Sequence, residues 1–141
     1  MANTNDNDAA ILFGGTSTVS SPKSLNSTSR FTFDAVTVHV DAVAASLTIK
    51  LDNQGTPASG DWVDLQIAWS ADASNYDTDE HAAYLPRMDT YGSNDPGEDP
   101  CTRTFTLNVA GKQSFKLIAR ANQGGTRAIT LVGVYNELRR P

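Results

Sequence analysis

The 141-residue chain has a single cysteine, Cys101, so no disulfide can form within it and the disulfide-framed class of small secreted domains is excluded. Its two histidines, His39 and His81, lie far apart, and with one cysteine they are too few for a zinc centre. No apolar run approaches the ~18 residues of a membrane-spanning helix. No stretch has a helical hydrophobic period beyond a possible turn at Asp79–Leu85. The opening MANTNDNDAA has neither the basic nor the apolar region of a secretory signal, so the expectation is folding in a cytoplasm. Motifs of chemistry are missing too. There is no GxSxG, and FGGTST at Phe13–Thr18 lacks the GK[ST] end of a phosphate loop. Cys101 follows Pro100 with no neighbouring histidine and reads as a packed thiol. His39 falls in a β-branched strand and reads as a surface or sheet-packing residue, and His81, in DEHAAY, as a solvated loop residue.

What is present is a two-residue period. SLTIKL points Leu47, Ile49 and Leu51 to one face, and WVDLQIAWSA points Val63, Leu65, Ile67 and Trp69 to one face. In RFTFDAVTVHVDA the phase slips between Phe31/Phe33 and Val36/Val38/Val40, and a bulge near Asp34–Ala35 would return all five to a common face. TRTFTLNV, SFKLIARA and RAITLVGVY follow, separated by the turn-like AGKQ and NQGGT, and read as an antiparallel meander. The last of these is apolar on both faces, the mark of a central or doubly covered strand. Weaker strands are expected at Ile11–Phe13 and within residues 82–92. Six firm strands in one domain-sized chain predict an all-β, antiparallel two-sheet sandwich of jelly-roll type, with an immunoglobulin-like sandwich as the alternative. The antibody pattern of two cysteines around a tryptophan is absent. Residues 1–28, rich in Asn, Ser and Thr, are expected to be an extended arm pinned at Ile11, Leu12 and Phe13, with the sandwich domain over residues 29–141.

Charge is uneven. The formal net charge is −5, yet residues 72–99 hold eight acids against Arg87 alone, and residues 102–141 hold seven bases against Glu137 alone. Opposite patches of this kind favour ordered docking between copies. An acidic net charge disfavours nucleic acid as a partner. No cofactor is expected; the one worth weighing against a solvated loop is calcium, for which Asp77, Asp79, Asp95, Glu98 and Asp99 are candidate hard oxygen ligands, although no DxDxDG spacing occurs. Paired carboxylates also serve glycoside hydrolysis, but here they stand among Pro, Gly, Asn and Ser rather than on rigid elements, so no enzyme is expected.

The polar arm, the Thr- and Ser-rich strand faces and the strand exit AWSADASNYDT (Ala68–Thr78) together resemble accessory virion proteins of tailed bacteriophages, in particular capsid decoration (cement) proteins of sandwich or jelly-roll type. The resemblance implies a non-enzymatic protein that folds in the host cytoplasm and then sits on the capsid surface. Its partners would be the major capsid protein and copies of itself, in a homo-oligomer taken as a trimer, without membrane or direct nucleic-acid contact. Interface residues are then expected at Ile11, Leu12, Phe13, Tyr76, Tyr84, Leu85, Met88, Tyr91, Arg139 and Arg140. WSADASNYDT is also similar to strand–loop segments of discoidin-like and carbohydrate-binding sandwiches, though the flanking cysteines and signal peptides of those families are missing. In that alternative Trp62, Tyr76, Tyr84 or Tyr91 would stack a sugar ring.

Overall fold

The structure, a computed structural model, describes residues 4–5, 10–13, 23–26, 30–53, 60–90, 101–123 and 128–140. Among these residues every regular element is a strand, and no helix is present that could cross a membrane. The first sheet is built on β6 (Ala42–Asn53) and β12 (Ala128–Arg139), paired antiparallel from Asn53↔Ile129 to Ala42↔Arg139. β10 (Cys101–Leu107) extends it beyond β6. Three short pieces, β1 (Thr4–Asn5), β2 (Ala10–Phe13) and β3 (Lys23–Asn26), line the other edge of β12 in succession. The second sheet is built on β7 (Trp62–Ser70) and β11 (Ser114–Asn122). β4 (Arg30–Thr32) and β5 (Val36–Thr37) flank β11, while β8 (Ala83–Tyr84) and β9 (Met88–Asp89) flank β7.

Counting each interrupted edge as one strand gives, among the described residues, two four-stranded antiparallel sheets, with neighbours in the order first–eighth–third–sixth and second–seventh–fourth–fifth. That order is the jelly roll, and it decides against the immunoglobulin-like alternative. It also corrects the expected meander. β10, β11 and β12 lie in the first, second and first sheets in turn, so each short connection crosses between sheets. Gly111, with φ +77°, turns the chain between β10 and β11 in a backbone region that glycine adopts without strain.

Alternation sets the core. Leu47, Ile49 and Leu51 of β6, Ile129 and Leu131 of β12, and Phe105 and Leu107 of β10 face Val63, Leu65 and Ile67 of β7 and Phe115 and Leu117 of β11. Trp69 is half-buried against the same cluster, its ring edge-on to Phe115 at 5.5 Å. The bulge expected near Asp34–Ala35 is present. Thr32 pairs with Ile118 and Val36 with Phe115, so three residues span the gap that β11 crosses with two, and Phe33, Val36 and Val38 are all buried. Val40 departs from the expected face, because the chain turns there into β6, and it is 91% exposed. Residues 1–28 are not separate from the sandwich where they are described. β1, β2 and β3 all pair with β12 of the same chain, and Leu25 is buried in the core.

One carboxylate closes the end of the sandwich. Glu137 is buried, accepts from the Tyr135 hydroxyl at 2.7 Å and from the His39 backbone N–H at 3.0 Å, and pairs with Arg139 at 2.9 and 3.0 Å. A buried charge with this many partners is compensated. Burial, followed by the bond to Glu137, pushes the Tyr135 hydroxyl pKa up. Truncation of a central inward residue, Leu47→Ala, is expected to lower unfolding free energy by about 2–5 kcal/mol in denaturant titrations. Thr48→Ala, on the outer face of the same strand, should change it far less.

Candidate binding surface on the outer face of the second sheet

The outer rows of β7 and β11 are not uniformly polar. Ala68 and Ile118 point away from the core and are nevertheless buried, which requires a cover. The acidic excursion that leaves β7 supplies it. Ala82 lies in the same small cluster and Tyr76 packs against it. Polar groups fix the cover in place. The buried Gln66 donates through Nε2 to the carbonyl oxygens of Asp79 at 2.8 Å and Ala82 at 3.3 Å. The Tyr76 hydroxyl donates to Ser114 Oγ at 2.8 Å, and Ser114 Oγ donates to the Val36 carbonyl at 2.8 Å. β8 and β9 then return along the edge of β7.

The start of the excursion is a turn organised by Asp72. Its carboxylate accepts from the backbone N–H groups of Asn75 at 2.8 Å and Ser74 at 2.9 Å, from the Asn75 side chain at 2.7 Å and from the Ser70 hydroxyl at 3.0 Å. These donors, the Asn75 backbone first, hold its carboxyl well below the usual carboxylate range. Ala73 follows at φ 61°, in the left-handed region that L-residues other than Asn, Asp and Gly rarely adopt.

Beside the cover runs a charged groove of about 230 Å³, lined by Arg30, Asp64, Gln66, Asp79, Glu80, Tyr84 and Arg120. Two ion pairs organise it. Arg87 grips Asp64 through two nitrogens at 2.6 and 2.9 Å and lies 3.8 Å over the Trp62 ring, while Arg30 reaches Asp79 at 2.8 Å. The bond to Asp64 pushes the Arg87 pKa further up. A second concavity, of about 510 Å³, lies at one end of the sandwich among Val38, Val40, Ala42, Ala71, Ala73 and Lys112.

The residues singled out from sequence scatter over these features. Tyr84 is 69% exposed at the groove. Tyr76 is half-buried, with Lys116 Nζ 4.4 Å over its ring. Leu85 packs on the core, and Met88 is 2% exposed within it, so Met88 is not available to a partner. Arg139 binds Glu137, and the Arg140 backbone N–H donates to the Asp41 carbonyl at 2.8 Å. Ile11, Leu12 and Phe13 form β2, while Tyr91, Asp95, Glu98 and Asp99 lie outside the described residues. Asp77 accepts from the Trp69 N–H at 3.2 Å and Asp79 holds Arg30. No cluster of three metal-ligating side chains occurs among the described residues. His81 meets Thr78 at 3.1 Å, and Cys101 is buried. Sequence reading missed Arg30, Arg87, Gln66 and Arg120 as members of one surface. The outward parity of Arg30 on β4, Gln66 on β7 and Arg120 on β11 was readable, but the pairing that sets these strands side by side, and the placement of Arg87 between β8 and β9, was not.

No protein-family model matches the sequence, and neither does any curated protein. Among solved structures, the chain is similar over 99% of its length to the infectious bursal disease virus VP2 subviral particle, at 10% identity and a TM-score of 0.51, covering 32% of that chain. It is also similar over 95% of its length to a family GH115 4-O-methyl-α-glucuronidase with specificity for decorated arabinogalactans, at 14% identity and a TM-score of 0.48, covering 17% of that chain. The chain thus spans a third or less of either protein, and the likeness to the VP2 particle is one of fold.

Because the Asp72 carboxyl titrates lower in the folded chain than its ordinary ~3.9, its contribution is complete at neutral pH and is lost as pH falls below that value. Asp72→Asn should therefore flatten the acid limb of the stability-versus-pH curve measured by thermal melting, while leaving its shape above pH ~6 unchanged.

Proposed function

We propose that the chain is a non-enzymatic structural protein of a virus particle, a decoration protein that binds the outside of an assembled capsid and stabilises contacts between capsomers. The observation that carries this reading is the jelly roll itself, similar over 99% of the chain to the VP2 subviral particle. On this reading the chain folds in the host cytoplasm and then resides on the capsid surface. Its partners are the major capsid protein and copies of itself, in a homo-oligomer taken as a trimer, with no cofactor. The engagement of the acids supports a non-catalytic role. Asp64 is held by Arg87, Asp79 by Arg30, Asp72 by its own turn and Glu137 by Arg139. Such pairs fix structure and leave no carboxylate of this set poised as acid or base.

The sandwich end offers the contact surface. Val40 projects beside the 510 Å³ concavity, and Lys112 lies in its wall. An exposed apolar side chain at the rim of a concave, partly apolar surface suits a protein contact. The reading is tested by sedimenting a lysate, from cells that make the chain in its natural setting, through a density gradient. Recovery in the particle band at fixed stoichiometry is expected, and recovery only at the top of the gradient would overturn it. Val40→Asp is expected to reduce particle association with the melting temperature unchanged.

A further inference from the structure

We propose that the groove over β4, β11 and β7 binds an acidic sugar, a ring bearing a carboxylate, with Arg120 holding the carboxylate and Tyr84 supporting the ring. This inference stands independently of the virion reading. Its starting point is a repulsion. Arg30 and Arg120 are direct cross-strand partners in the β4–β11 pair. Like charges placed opposite one another destabilise a sheet. The chain offsets one of them, since Asp79 takes Arg30 at 2.8 Å. The next residue in the row, Asp64, is the cross-strand partner of Arg120, but both of its oxygens are taken by Arg87. Arg120 is exposed, and its guanidinium has no hydrogen bond or ion pair among the described residues. Asp64 and Asp79 are thus engaged by other arginines, and the open guanidinium fork of Arg120 suits a carboxylate.

The surroundings narrow the ligand. Tyr84 pairs with Gln66 in register, lines the same groove and is 69% exposed. The other described aromatics of the sugar reading are covered. Arg87 lies over Trp62, and Lys116 lies over Tyr76, whose hydroxyl is also engaged with Ser114. Tyr84 thus presents the open ring, suited to the apolar face of a sugar. Glu80 and Asp79 on the rim can accept hydrogen bonds from hydroxyls. The groove, about 230 Å³, is smaller than the ~300–1,000 Å³ of sites for drug-sized ligands, which fits one ring rather than an extended chain. A neutral sugar would leave Arg120 unanswered, and a bare anion would leave Tyr84 unused.

The test is a calorimetric or NMR titration of the full chain with glucuronate, glucose and acetate. Glucuronate should bind at least about tenfold more tightly than either glucose or acetate, and more weakly as salt rises. Arg120→Gln and Tyr84→Ala should each weaken it about tenfold with unchanged melting temperature, whereas Arg103→Gln should leave it unaltered. Should Arg120→Gln fail to fold, Arg120→Lys serves the same comparison. Acetate binding as tightly as glucuronate, or wild-type affinity in Tyr84→Ala, would overturn the sugar assignment. So would a polyglutamate peptide that binds the groove when glucuronate does not. None of these outcomes bears on particle association, so the two readings fail separately.

Discussion

The pairing of β6 with β12 is the constraint on which the rest of the molecule depends. These are the two longest strands, 12 residues each, and their register puts Leu47, Ile49 and Leu51 in the same inward layer as Ile129, Leu131 and Tyr135. A slip of one residue would turn that layer outward, so the register is held by the whole core rather than by any one bond. Everything else attaches to this pair. β10 adds to the free edge of β6, and β1, β2 and β3 fill the free edge of β12. The second sheet then closes over the inward layer. Glu137 ties the end of β12 to the His39 backbone just before β6 begins, so the carboxylate joins the two sheets' connection to the central pair.

The acidic excursion follows from the second sheet. β7 and β11 carry small or apolar side chains outward as well as inward, at Ala68 and Ile118. Left bare, that patch would add apolar surface beside a row of arginines. Residues 71–90 cover it, and the cover needs polar anchors because its backbone cannot join a regular ladder throughout. Gln66 supplies two of those bonds from the sheet side, and Asp72 satisfies several donors of the turn itself. The loop is acidic partly because its carboxylates are internal fasteners, and partly because Arg30 stands on the sheet edge to meet Asp79.

Much of this was legible in the sequence, and the limits have a physical cause. Side-chain parity within a strand is local, so the inward rows, the bulge between Phe33 and Val36, and the short strands within residues 82–92 could all be read from period and phase. Which strand pairs with which is not local. A short turn with glycine serves a hairpin and a crossing between sheets equally well, and β10 to β12 were read as the first when they are the second. The arm shows the same limit from the other side. Asn, Ser and Thr look unsuited to a core, yet a strand on the edge of β12 needs only backbone groups and an occasional Leu25. The groove was the least legible feature. Arg30, Asp64 and Arg120 are 34 and 56 residues apart, and nothing short of the β4–β11–β7 register places them in one row.

That row changes how the charge asymmetry should be understood. Read along the chain, an acidic middle and a basic end invite docking between copies. In three dimensions the jelly-roll connections lay β11 directly beneath the excursion, and the ion pairs formed on this face join other segments than those two. Arg30 meets Asp79, Arg87 meets Asp64, and Lys116 covers Tyr76. Exposed pairs of this kind contribute too little to hold the sandwich but enough to orient flexible side chains. Once they are oriented, the charges left over carry the information. Arg120 stands out because Asp64, its cross-strand partner, is held by Arg87 and Asp79 is held by Arg30, and any recognition on this face would be governed by that arrangement rather than by the net charge of the chain.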